Sequence, residues 1–285
     1  MNGGPSLVLK LMPYVTHRGA RIYWEEHGAG DPILLVMGLS FTLEMWYRIV
    51  PFLSAEHRVI LLDNRGVGRS NVPRGPYSIG LMAEDAMAVL DAASVTEPAC
   101  LIGVSMGGMI AQEMALRYPE RFGAMMLVST SCGALYRGRW PNFRRVPRFR
   151  RWLEAGGEAR DRTFIRFLYA DETPRERIEE DIRARANFHP TLRGVLSQLC
   201  GILCWSSYSR LPRLRLPVWV IHGDQDHVLP PENGRIVARR IPGAEFVLVP
   251  QAGHILATDQ PELTLEILGR FLASVKGMQP AEPRL

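Results

Sequence analysis

The sequence predicts an α/β fold: a mostly parallel central β-sheet flanked by helices, with a helical segment inserted after the sixth strand. Three observations carry this. Short apolar runs alternate with stretches of helical spacing from about residue 14 to residue 130, which is the rhythm of a sheet covered on both faces. That rhythm stops near Ser131, gives way to arginine-rich helical text as far as Arg210, and then resumes. Between an apolar run and a helix-like stretch stands Gly103-Val104-Ser105-Met106-Gly107, followed at once by Gly108. A serine at such a strand–turn–helix apex projects its hydroxyl clear of the backbone, and the glycines supply the room for a strained turn.

Each element follows from its residues. Tyr14 to Thr16 and Ala20 to Glu26, split by Arg18-Gly19, read as an antiparallel hairpin at the sheet edge. Ile33 to Met37 reads as a buried strand ending in Gly38. Leu43 to Leu53 is amphipathic, and Arg58 to Leu62 is the next strand. Ile79 to Ala93 has helical spacing, Ala99 to Val104 is a strand, Met109 to Arg117 a helix and Ala124 to Ser129 the sixth strand. After the insertion come a strand at Val218 to His222, a helix at Pro231 to Arg240, a strand at Glu245 to Val249 and a helix at Pro261 to Val275. The expected organisation is a core in two parts, 14–130 and 211–275, a helical lid at 131–210 and a frayed tail at 276–285. No internal repeat is visible.

A chain of 285 residues, 47% hydrophobic, is long and apolar enough for one large buried core, and 22% charged residues argues against disorder. Met1 to Lys10 lacks the layout of a signal peptide, and no apolar run approaches the ~18 residues of a membrane span. A soluble, cytoplasmic protein is expected. The net charge of +5 permits an anionic partner, but no nucleic-acid-reading motif accompanies it. The four cysteines, Cys100, Cys132, Cys200 and Cys204, fit no zinc spacing. Cys200 and Cys204 lie one helical turn apart and are expected on a face packed into the core. No metal and no cofactor are expected.

A serine hydroxyl is a poor nucleophile until a base takes its proton and a carboxylate holds that base in the right tautomer. The acid should lie in Gly223-Asp224-Gln225-Asp226, after the strand Val218 to His222. Asp226 is the preferred candidate because the loop before Pro230 and Pro231 can turn it back over the sheet. Asp224 is the alternative and reads as a turn-former. The base should be His254, directly after the strand Glu245 to Val249, because it completes the order Ser, Asp, His on successive strand ends. His222 and His227 flank the acid and are its rivals; His222 ends a strand and is expected to be packed. His17, His27 and His57 are placed in surface loops or turns, and His189 in the lid. Two N–H donors must meet the oxyanion. One should be the backbone of Met106, at a helix start whose dipole favours negative charge. The other should come from the loop after Met37, with Leu39 the best candidate and Gly38 allowing close approach.

Val36-Met37-Gly38-Leu39, Asp63-Asn64-Arg65-Gly66-Val67-Gly68-Arg69-Ser70, Gly103-Val104-Ser105-Met106-Gly107-Gly108, Gly223-Asp224-Gln225-Asp226 and Gly253-His254 together resemble the α/β-hydrolase superfamily, over residues 14 to 275. The run Ser105 to Gln112 is similar to enol-lactonases, cofactor-free haloperoxidase-like esterases and polyketide methylesterases. The resemblance implies Ser105 as nucleophile, Asp226 as acid, His254 as base, Leu39 and Met106 as oxyanion donors, and a helical lid. It departs at Met37-Gly38, where many members carry His-Gly; the backbone donor survives that change. Gly66 to Ser70 lacks the Gly-Lys-Ser/Thr ending of a phosphate loop; the resemblance implies a structural turn there, with Asp63 and Arg65 as ion-pair anchors. Trp46 is expected in the core.

The lid carries Arg137, Arg139, Arg144, Arg145, Arg148, Arg150 and Arg151. A solvated basic face is the plainer reading, and recognition of a substrate carboxylate the sharper one. Gly38, Trp140, Trp152 and Trp205 are candidates for the substrate pocket. The expected activity is hydrolysis of a small-molecule carboxylic ester or lactone through an acyl-enzyme on Ser105. Carbon–carbon bond hydrolysis and perhydrolysis or haloperoxidase-like chemistry use the same triad. A non-catalytic small-ligand receptor on the same fold is the alternative from another class. Neither substrate identity nor oligomeric state is legible.

Overall fold

Eight strands form one sheet in the order β1-β2-β4-β3-β5-β6-β7-β8. The computed structural model that shows this describes residues 14–133 and 168–276. The strands are β1 (Tyr14–His17), β2 (Ala20–His27), β3 (Pro32–Val36), β4 (Arg58–Leu62), β5 (Ala99–Val104), β6 (Phe122–Val128), β7 (Val218–Gly223) and β8 (Glu245–Val249). β1 pairs antiparallel with β2, and β2 with β4. All the other neighbours are parallel. The expected hairpin is therefore present, with β1 at the edge. His17 and His27 close strands rather than lying in loops.

The central strands are buried on both faces, which is why they read as continuous apolar runs. In β3, Leu34 and Val36 join one core cluster while Ile33 and Leu35 join the other. The first cluster is closed by α2 (Ile79–Ala92), α3 (Met106–Arg117) and α6 (Glu232–Arg240). The second is closed by α1 (Val50–Leu53), α7 (Leu256–Asp259) and α8 (Pro261–Val275). The amphipathic stretch Leu43 to Leu53 is not one helix. It divides into a 3-10 turn at Leu43–Trp46 and the short α1, which has Pro51 in its first turn; a proline fits a helix start but cannot donate within a continuing helix. Trp46 is buried, as expected.

The described part of residues 131–210 contains α4 (Arg175–Ala184) and α5 (Leu192–Leu203). α4 is anchored through Asp181, a fully buried carboxylate that accepts hydrogen bonds from Tyr47 Oη at 2.7 Å, Tyr169 Oη at 2.7 Å and Thr258 Oγ1 at 2.6 Å. α5 turns Gly194, Ser197, Gln198 and Gly201 inward. Cys200 and Cys204 are exposed, which corrects the expectation that they face the core. The reason is steric. The helix lies so close to the 66–77 loop that a Cβ on Gly194 would come within 2.1 Å of Gly66 O, and one on Gly201 within 2.2 Å of Tyr77 O, so the face that carries these two glycines is the one that fits there. None of the described helices is long and apolar enough to cross a membrane.

Candidate functional site

The chain reverses direction across the sheet between β3 and β5: β3 leads to β4 on one side, and β5 lies on the other. Such a switch point opens a crevice outside the carboxyl ends of the parallel strands. Leu39 follows β3, Ser105 follows β5, Asp226 follows β7 and His254 follows β8, so one sheet edge gathers all four.

Ser105 caps α3 at φ 56° and ψ −118°, a conformation that a non-glycine residue holds only when its surroundings enforce it. The enforcement is visible. Its N–H donates to Val128 O at 2.9 Å, and its carbonyl accepts from Gly108 N at 3.0 Å and from Thr130 Oγ1 at 2.6 Å. Two glycines permit the turn. A Cβ on Gly103 would lie 2.4 Å from Gly107 O, and one on Gly107 would lie 2.0 Å from Val36 O. Gly38 stands opposite, where an added Cβ would sit 3.1 Å from Ser105 Cβ and 3.7 Å from its Oγ. The backbone N–H groups of Leu39 and Met106 have no acceptor among the described residues. Met106 is the first residue of α3, which begins three residues earlier than its apolar spacing suggests.

Asp226 and His254 meet. His254 Nδ1 lies 2.8 Å from Asp226 Oδ2, with both side chains almost wholly buried. Nδ1 faces a carboxylate, so it donates, and Nε2 is the ring atom left for proton transfer. The other carboxylate oxygen, Oδ1, accepts from the N–H groups of Val228 at 2.9 Å and Leu229 at 2.8 Å. Burial alone would push the Asp226 carboxyl up. The charge of His254 and the hydrogen bonds from His222 and His254 outweigh it and hold the group well below the usual carboxylate range. Asp224 is exposed, and among the described residues its carboxylate accepts one long 3.3 Å bond, from Ala252 N.

His222 packs against Asp226. Its Nε2 lies 3.1 Å from Asp226 Oδ2 and 2.7 Å from Leu229 O. Both are acceptors, so Nε2 carries the proton, and Nδ1 is buried without a partner among the described residues. Two imidazole N–H groups thus converge on one carboxylate oxygen. The sequence signal was there, a histidine four residues before the acid, but nothing in it told contact from mere packing.

The loop of His254 is held from below. Gly253 N donates to Asp259 Oδ2 at 2.7 Å, and His254 N donates to Leu168 O at 2.7 Å. Asp259 also accepts from Thr173 Oγ1 and Ala170 N, and burial raises its carboxyl to about 6. A small apolar cavity of about 50 Å³, lined by Met37, Trp46, Val128 and Leu268 among others, adjoins His254.

Asp63 and Arg65 anchor the neighbouring loop separately. Asp63 accepts from Leu43 N and Arg69 N, both at 2.9 Å, while Arg65 makes a buried ion pair with Asp85. Trp205 packs against α3. Its indole is buried two turns down α3 from Ser105 and donates to Glu113 Oε2 at 2.7 Å, because a buried indole N–H needs an acceptor and Glu113 supplies it. Trp140, Trp152 and the arginines from 137 to 151 lie outside the described residues. Among the described residues no cluster of three or more His, Cys, Asp or Glu is arranged to hold a metal ion.

A family described as alpha/beta hydrolase fold matches residues 31–261. The chain belongs to the α/β-hydrolase family. It is 34% identical to "Putative carbamate hydrolase RutD" of Azorhizobium caulinodans, over 93% of this chain and 99% of that one. A thermophilic esterase from Thermogutta terrifontis superposes with a TM-score of 0.77 at 30% identity, covering 92% of this chain and 97% of that chain. The enol-lactonase from Burkholderia xenovorans LB400 does so with a TM-score of 0.79 at 25% identity, covering 92% and 100%. These α/β-hydrolase relatives are named for hydrolytic activities, and the chain is a hydrolase of this family with the esterase, enol-lactonase and haloperoxidase-like branch around it.

Proposed function

We propose that this α/β-hydrolase cleaves a small-molecule carboxylic ester or lactone through an acyl-enzyme on Ser105. The observation that carries this is the 2.8 Å contact between His254 Nδ1 and the buried, ionised Asp226, on the same sheet edge as a serine held at a strained apex. His254 Nε2 takes the Ser105 proton as Oγ attacks the carbonyl carbon. The resulting oxyanion is met by the N–H groups of Leu39 and Met106, each worth ~3 kcal/mol of transition-state stabilisation. The tetrahedral intermediate collapses, and His254 gives its proton to the departing alkoxide. A water then loses a proton to His254 and attacks the acyl carbon. The second collapse frees the acid and returns the proton to Ser105. In this reading the insertion at 131–210 acts as the lid that selects the substrate, with Gly38 at the floor of the pocket.

The test is a hydrolysis screen over p-nitrophenyl acetate and butyrate, simple lactones and carboxylate-bearing enol-lactones. Turnover of at least one ester or lactone class is expected. Binding without turnover across all of them would favour a receptor and overturn the reading.

His222 belongs to this machinery as a second donor to Asp226. Removing a hydrogen bond to a charged buried group costs about 1.5–3 kcal/mol, and it also leaves Leu229 O without that donor. His222→Leu is expected to lower the thermal unfolding midpoint and to reduce kcat roughly tenfold, about 1.4 kcal/mol of barrier, with KM little changed. Wild-type kcat and midpoint in that variant would remove His222 from the account.

A further inference from the structure

Described residues of the insertion hold both the His254 loop and the loop after β3. The first is held by Leu168 O, beneath His254 N. The second is held by Gln198, on α5, which is fully buried. Gln198 Oε1 accepts from Ser40 N at 3.0 Å, and its Nε2 donates to Arg65 O at 2.8 Å. The amide orientation is fixed by these partners, since an N–H can only donate and a carbonyl can only accept.

We propose that Gln198 is a positioning residue for the oxyanion hole, so that the insertion, and not the sheet alone, completes the site. The proposal rests on the serine-hydrolase reading above. Residues 37–40 leave β3 with no ladder partner to hold them. Asn64 Nδ2 fixes one flank by donating to Met37 O at 2.9 Å, and Gln198 fixes the other at Ser40. Between the two grips stands Leu39, whose own N–H has no acceptor among the described residues. Ser40 has φ 61°, a left-handed value that a serine keeps only when its neighbours hold it. Without the Gln198 bond the peptide after Leu39 is free to relax, and the Leu39 N–H loses its aim. α5 is placed for this by close backbone packing: Ser197 O accepts from Tyr77 N at 3.1 Å, and a Cβ on Gly201 would lie 2.2 Å from Tyr77 O. An aiming error at an oxyanion donor falls on the transition state and spares ground-state binding.

The test measures kcat, KM and the unfolding midpoint with p-nitrophenyl butyrate for wild type, Gln198→Met, Gln198→Asn, Gln198→Glu and Ile202→Ala. Ile202 packs on the core from the same helix, so Ile202→Ala reports what loosening α5 does by itself. Gln198→Met and Gln198→Asn should lose roughly 10- to 100-fold in kcat with KM held within about twofold. Gln198→Glu, which keeps an oxygen at the Ser40 N–H, should retain more. Ile202→Ala should retain kcat despite a lower midpoint. Should Gln198→Met fail to fold, Gln198→Asn gives the same reading. Wild-type kcat in the Met and Asn variants, or an equal kcat loss in Ile202→Ala, overturns the proposal. Ser105→Ala run alongside separates the two levels. Its undiminished turnover would sink the serine reading, whereas serine-dependent turnover that ignores Gln198 sinks this proposal alone.

Discussion

Ser105→Ala is expected to lower kcat for p-nitrophenyl butyrate by roughly 10⁵- to 10⁶-fold, to the level left by oxyanion donors and binding alone. The two hydroxyls at the end of β6 are not placed to take over. Ser129 is fully buried, and Thr130 Oγ1 is committed to the Ser105 carbonyl. The fold should survive the change, because alanine keeps the Cβ that the turn already accommodates and because the Ser105 contacts that fix the elbow are backbone ones. KM should therefore stay near the wild-type value, and circular dichroism should be unchanged. Steady-state kinetics on the two proteins decide the matter, and equal rates would move the chemistry elsewhere.

The second large effect is at Asp226. Asp226→Asn should cost roughly 10⁴-fold in kcat, the scale seen when an imidazole is forced into the wrong tautomer. The geometry explains why no rotamer of asparagine can help. With its NH2 group at the Oδ2 position, it faces the N–H groups of both His254 and His222. With its NH2 group at the Oδ1 position, it faces the N–H groups of Val228 and Leu229. Either way donor meets donor, where the carboxylate accepted all four. Asp224→Asn is the internal control. Asp224 is exposed, and its carboxylate makes one long hydrogen bond among the described residues, so its effect should stay within the ±0.5 kcal/mol usual for surface changes, about twofold in rate. Kinetics showing the reverse ranking would assign the acid to Asp224.

Much of this architecture can be read from residues alone because its signals are local. β3 is buried on both sides and so appears as an unbroken apolar run; the Gly103-to-Gly108 turn advertises its own lack of side chains. The parts that escape are those decided by distant partners. Gln198 sits inside an ordinary amphipathic helix, and its two partners, Ser40 and Arg65, are 158 and 133 residues away in the chain. Cys200 shares that helix and Cys204 caps its C-terminal end, and periodicity finds the helix. Which face turns inward is settled by the close approach of Gly194 and Gly201 to another loop. Trp205 looked like a pocket wall because aromatic residues in an insertion often are, yet Glu113 claims its indole. The stretch from Leu43 to Leu53 has helical spacing, but Pro51 begins a turn there instead of continuing one. His222 lay in plain view four residues before Asp226; its shared carboxylate oxygen depends on how the 226–229 loop folds back.

The central claim is that Ser105 is the nucleophile driven by His254 and Asp226. Stoichiometric labelling with an organophosphate, followed by mass spectrometry of the digested protein, tests it most directly. One adduct per chain is expected, carried by the peptide containing Ser105, formed in step with the loss of esterase activity, and absent from Ser105→Ala. Full labelling at another residue, or activity that persists after Ser105 is fully modified, would contradict the account.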